Sequence, residues 1–223
     1  MVCALCIGLT LSVQADSIFD NSVNDLLTRF DPGTQEVGDE ILLDGTARYL
    51  TNFSFEFWGT NTASPSNTSF AGDVQARVRF YENTGAPFNG YATPASTPFF
   101  DSGWFDVGAP TSRSTLNFFE GSDFPAGGLL IPSSDITWSV QFEGMEATDS
   151  VGVDIYSPPV VGHDYPDYWE NDGGWVLLTN TVPMDFAAKM DASQTVPEPS
   201  AVALSLLGGL GLLGLGYRLR RTR

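Results

Sequence analysis

The chain has 223 residues, 42% of them hydrophobic and 17% charged, with a formal net charge of −17 at neutral pH. The charge is unevenly spread: residues 16–196 hold 26 acidic residues against six basic ones, whereas residues 197–223 set Glu198 against four arginines. A body this acidic repels phosphate backbones and anionic lipid headgroups, which argues against nucleic acid as its partner, and its length suits a single core.

In chain order, the first element is the uncharged, mostly apolar stretch from Val2 to Val13, which leads to Val13-Gln14-Ala15. Small residues three and one positions before a cut are the signal-peptidase pattern, and the apolar run is short for a membrane span. Residues 1–15 are therefore predicted to be a signal peptide cleaved after Ala15. Both cysteines, Cys3 and Cys6, lie inside it. A mature chain without cysteine excludes disulfides, thiolate metal sites and cysteine nucleophiles together.

Residues 16–190 show an apolar period of two. In Asn52-Phe53-Ser54-Phe55-Glu56-Phe57 the aromatics fall on one face and the polar residues on the other, as a half-buried strand requires. The same alternation recurs in Val74, Ala76, Val78 and Phe80, in Ile136, Trp138, Val140 and Phe142, and in Val151, Val153 and Ile155. Turn-forming clusters such as Asn83-Thr84-Gly85 and Asp172-Gly173-Gly174 separate these runs, and no amphipathic helix of ten residues or more competes with them. About nine or ten strands in one body predict an all-β fold, a single β-sandwich of jelly-roll type.

Catalytic chemistry has few footholds in this body. His163 is the sole histidine, and no G-x-S-x-G elbow, H-E-x-x-H pair or phosphate-binding loop is present. Paired carboxylates can cleave a glycosidic bond, but 26 acids offer no way to choose a pair. The densest polar constellation runs from Asp149 to Trp175, and around Asp164 to Asp172 it is too rich in proline and glycine for a long strand and reads as a loop. There Asp164, Asp167, Glu170 and Asp172 supply hard oxygen ligands of the kind calcium accepts, though their spacing is not that of an EF-hand. Tyr165, Tyr168 and Trp169 stand among them and suit sugars, whose apolar ring faces stack on aromatic planes while carboxylates accept their hydroxyl hydrogens. A solvated acidic loop with its aromatics turned into the core is the plain alternative, and exposure of those aromatics separates the two.

Small polar residues at 191–196 predict a linker. Beyond it, Ala201 to Tyr217 is uncharged, and 17 such residues as a helix span roughly 26 Å, just enough with its margins to cross a bilayer. Arg218, Arg220, Arg221 and Arg223 then form a membrane stop on the cytoplasmic side, leaving the acidic body on the far side. Pro197 and Pro199 disfavour helix in the residues before them, so the chain ahead of the span is predicted to be extended.

Pro197-Glu198-Pro199, the apolar run and the terminal arginines, in that order, resemble the PEP-CTERM sorting signal of Gram-negative bacteria, over residues 197–223. The resemblance implies export, transient retention in the inner membrane by the C-terminal helix, processing near the Pro-Glu-Pro by an exosortase, and association with exopolysaccharide and biofilm matrix. The body is also similar, from Gly38-Asp39-Glu40 through Arg77-Val78-Arg79-Phe80-Tyr81 to Asp101-Ser102-Gly103-Trp104, to ectodomains of this sorting class. Together these features predict a secreted or cell-surface, non-enzymatic matrix protein with a glycan as ligand and calcium as the one candidate cofactor. A carbohydrate-active hydrolase is the alternative.

If charge behind a barely sufficient apolar run holds the tail, replacing Arg218, Arg220, Arg221 and Arg223 by neutral residues leaves the precursor unprocessed. Cell fractionation showing normal maturation of that variant contradicts the sorting assignment.

Overall fold

The computed structural model describes residues 15–64, 66, 68–179 and 183–194. The Pro-Glu-Pro, the expected transmembrane helix, the arginine stop and, apart from Ala15, the expected signal peptide lie outside these residues. Among the described residues there are strands and no helix, so none there is long and apolar enough to cross a membrane. In chain order the strands are β1 (Asp16–Asp20), β2 (Asp25–Phe30), β3 (Glu36–Leu42), β4 (Tyr49–Asn61), β5 (Gln75–Glu82), β6 (Pro87–Phe88), β7 (Tyr91–Ala92), β8 (Phe100–Asp101) and β9 (Phe105–Asp106). They continue with β10 (Ser114–Phe119), β11 (Leu129–Leu130), β12 (Asp135–Glu143), β13 (Asp149–Tyr156), β14 (His163–Asn171), β15 (Trp175–Leu178) and β16 (Ala188–Ser193).

Among the described residues the named strands pair antiparallel and build two seven-stranded sheets. The first has the order β1-β16-β4-β13-β2, with β10 and β11 also on β4; the second has the order β15-β14-β3-β12-β5-β8, with β9 also on β5. The hairpin β6–β7 stands apart. From β2 onward the strands of six residues or more alternate between the sheets in chain order, whereas β1–β2 and β14–β15 each stay within one layer.

The four alternating runs read from the sequence are β4, β5, β12 and β13. Their inward residues meet in one aromatic core. Phe53 of β4 packs edge-on against Phe80 of β5 at 5.0 Å and against Trp138 of β12 at 5.3 Å, which joins the two sheets face to face. All three are fully buried. Aromatic pairs of this kind add to the area they bury, and truncating such a ring leaves a cavity that a two-layer core cannot close.

Two elements depart from the reading of the sequence. Asp191, Ala192 and Ser193, expected to start a linker at 191–196, are the end of β16 and pair with Asn52, Leu50 and Tyr49. Ala192 and Ser193 are buried there, so the folded body extends at least to Ser193. The stretch around Asp164 to Glu170, expected as a loop, is the nine-residue strand β14. Its chain slips register between Asp164 and Tyr168, a bulge that accommodates Pro166 and hides the period of two.

Phe53→Ala is expected to destabilise the body by about 3–5 kcal/mol, measured by chemical denaturation. A loss below about 1 kcal/mol would mean that this ring is not the link between the sheets.

Candidate functional site

The acids and aromatics singled out in the sequence are all on or beside β14, but the structure distributes them in different directions. Asp164 turns inward and is 5% exposed. Asp167 lies beside Tyr91, Glu170 beside Tyr168, and Asp172 in the exposed turn that leads to β15. Gly173 has φ +75° in that turn, a left-handed conformation that glycine adopts without a Cβ clash. The four acids expected as calcium ligands are therefore not brought together. Among the described residues, no three histidine, cysteine, aspartate or glutamate side chains are arranged to hold a metal ion.

The three aromatics are also separated. Trp169 is fully buried, donates its indole N–H to Glu40 Oε2 at 3.0 Å, and has Phe88 of the β6–β7 hairpin over it at 6.4 Å. Burial pushes the Glu40 carboxyl up to about 7. Tyr168 faces the core against Phe30 at 5.0 Å. Only Tyr165 of the three stays at the surface side, half-buried between Tyr91 at 5.6 Å and the exposed His163 at 5.4 Å. A platform of three exposed rings on a loop is not what β14 presents, because a strand sends alternate rings to opposite faces.

The inward turn of Asp164 creates a feature the sequence did not announce. Asp39, Asp164 and Asp185 are 0%, 5% and 4% exposed, and all three carboxyls are held above the usual carboxylate range. Burial is the main cause at each; Asp164 and Asp185 raise Asp39 further, and Asp185 raises Asp164, which a hydrogen bond from Asp39 partly offsets. The Phe186 N–H donates to Asp39 Oδ2 at 2.6 Å, the Tyr165 N–H to Asp164 Oδ1 at 2.9 Å, and the Asn21 amide to Asp164 Oδ2 at 3.4 Å. Asp39 Oδ1 and Asp185 Oδ1 have no hydrogen-bond partner among the described residues. Neighbouring carboxyls in a dry core resist ionisation, and the group brings β3, β14 and the segment before β16 together.

Among the described residues, two grooves on the surface lie away from β14. The larger, about 510 Å³, is lined by Asp73, Gln75 and Asp106, with Phe70 and Val74 behind them. The smaller, about 350 Å³, lies where the edge strands β8 and β9 of one sheet face β10 of the other. Phe100, Phe105 and Phe118 form its apolar lining, and Asp101, Asn117 and Asp123 are among its polar residues. Phe105 meets Phe118 edge-on at 5.4 Å across the gap between the sheets. The hydrogen-bonded guanidinium of Arg77 pulls Asp101 down to about 2, and Arg79 reaches the same carboxylate at 3.4 Å. Asp123 accepts from the Phe119 N–H and the Ser122 hydroxyl, each at 2.8 Å. These residues fall between Phe100 and Asp123, on three short strands and a turn split between the two sheets, and no local spacing pointed to them.

A family model described as the PEP-CTERM protein-sorting motif matches residues 195–221. The chain thus carries a PEP-CTERM sorting tail, which implies export, processing by exosortase and membrane-associated sorting to the cell surface. No curated protein and no solved structure matches the chain.

A carboxyl whose folded-state pKa is raised stabilises the fold fully below its unfolded pKa, near 4, and loses that contribution as pH rises towards the folded value. The three buried aspartates have this sign, so stability falls from mildly acidic to neutral pH. Asp39→Asn keeps a donor towards Asp164 without a charge to bury, and is expected to raise the melting temperature at pH 8 and to flatten its pH dependence. Parallel curves for the variant and the wild type between pH 4 and pH 8 contradict this.

Proposed function

We propose that the sandwich is a non-enzymatic, glycan-binding component of the extracellular matrix, carried there by its sorting tail. On this reading the helix Ala201–Tyr217 holds the precursor in the inner membrane, Arg218, Arg220, Arg221 and Arg223 stop it there, and exosortase acts at the Pro-Glu-Pro. The jelly-roll character of the body is supported by the crossing of successive long strands between sheets.

The observation that carries the binding reading is the groove at the open edge of the sandwich. The half-buried Phe100 and Phe105 offer apolar surface to a sugar ring, and Asn117, Asp123 and the serines Ser102 and Ser122 offer donors and acceptors to hydroxyls. The charge of the body selects the glycan: with 26 acids against six bases in residues 16–196, a polyanionic chain is repelled and a neutral polysaccharide is not. Glu40, despite its raised carboxyl, is 3% exposed beneath Trp169 and lines neither groove.

Asn117 is exposed, and its amide makes only a long 3.3 Å bond to the Thr115 carbonyl of its own strand. Asn117→Ala is expected to weaken retention on a neutral-glycan array about 2–10-fold, the loss of one neutral hydrogen bond, with the melting temperature unchanged. Failure of the mature protein to retain any neutral glycan, or undiminished binding by the variant, contradicts the reading. The hydrolase alternative draws on the larger groove, where Asp73 and Asp106 share one lining. Asp106 Oδ1 already accepts the Gly108 N–H at 2.7 Å, which places it as a turn-former. Release of reducing sugar that disappears in Asp106→Asn would decide for hydrolysis.

A further inference from the structure

Ser193 is the last residue of β16. It pairs with Tyr49, is 2% exposed, and accepts the Arg48 N–H on its carbonyl at 3.2 Å. β16 is an interior strand with β1 on one side and β4 on the other, and Ala188, Met190 and Ala192 are at most 1% exposed. Drawing residues of β16 towards the membrane therefore breaks two ladders and opens the core. The matched motif begins at residue 195, so Gln194 alone separates it from the ladder. At no more than 3.6 Å per residue, Pro197 lies at most about 14 Å from Ser193. That reach is little more than the ~10 Å between two packed sheets. Whatever grips the Pro-Glu-Pro must also meet the body around Ser193.

The surface at that end has an apolar feature. Leu130 is 56% exposed and pairs with Tyr49 on the opposite side from Ser193. Asp16, the first residue of β1, pairs with Ala192 beside them. Both ends of the body thus leave the sandwich together.

Resting on the sorting reading, we propose that this end of the sandwich, around Ser193, Tyr49 and Leu130, is a contact surface for the membrane-embedded exosortase, which takes the motif with the folded body against it. The body sets how closely the enzyme approaches, and a substitution on this surface acts on processing without touching the motif. A spacer that separates body from motif makes the surface irrelevant.

The test follows conversion of precursor to processed form by pulse-chase, with the full-length chain expressed alongside the exosortase. Leu130→Asp is expected to slow conversion about fivefold, the effect of a modest interface residue. Inserting about eight Gly and Ser residues between Ser193 and Gln194, a flexible spacer of roughly 16 Å, restores the rate in the Leu130→Asp background. Val23→Asp, at an exposed position beyond the far end of β1, leaves it unchanged. Conversion of Leu130→Asp at the wild-type rate overturns the proposal. So does slow conversion of Leu130→Asp both with and without the spacer, because the defect then lies in the body itself. Glu198→Ala separates the two readings: normal conversion of that variant sinks the sorting reading, whereas blocked conversion combined with an indifferent Leu130→Asp sinks only the contact surface.

Discussion

The body is closed by a pairing between its first strand and its last. β16 fits between β1 and β4, with Asp16 opposite Ala192 and Lys189 opposite Asp20. The first sheet consequently lacks its β1–β16–β4 side until residue 193 is in place, and contacts of such sequence separation form late because the intervening loop must first be closed. In an exported chain, the sandwich is complete only when everything except the tail has crossed the membrane. The sorting motif then follows the closed ladder with a single residue between them. Secretion, folding and sorting share this one end of the molecule.

The second constraint is the number of carboxyls inside strands. Glu36 is 4% exposed and takes hydrogen bonds from Tyr81 at 2.8 Å, Ser139 at 2.7 Å and Asn171 at 3.1 Å, together with the Arg79 guanidinium at 2.6 Å. Four donors therefore converge on this one buried carboxyl. Asp39, Asp164 and Asp185 have fewer donors and a raised affinity for protons instead. On the other sheet, Asp154 is 1% exposed within reach of Arg29 at 3.5 Å and Arg113 at 3.7 Å. Arg29, Arg77, Arg79, Arg113 and Lys189, five of the body's six cations, are thus committed to its acids, and the remaining negative charge is what solvent and partners meet.

These acids also explain what could be read from the sequence and what could not. β4, β5, β12 and β13 present apolar residues at every second position and were legible as strands, and with them the all-β class. β3 and β14 place Glu36, Asp39, Glu40, Asp164 and Asp167 in a ladder, where single-sequence alternation reads them as polar interruptions. Their burial depends on donors from other strands, information that no local window contains. The same holds for the candidate site. The acidic and aromatic density around Tyr165 was real, but strand geometry sends Trp169 outward under a hairpin and Tyr168 inward to Phe30, while the groove at Phe100, Phe105 and Phe118 is assembled from consecutive strands that belong to opposite sheets. The sorting tail was readable because its signal is contiguous.

Hydrogen exchange of the full-length chain, resolved to the β16 segment, tests the closure directly. If β16 is the interior strand that locks β1 to β4, its amides at Met190 and Ala192 exchange only through global unfolding, with the same protection as those of β4. Exchange of β16 and β1 through a separate, lower-energy opening, while β4 and β12 stay protected, would contradict the account that the body is closed up to the residue before its sorting tail.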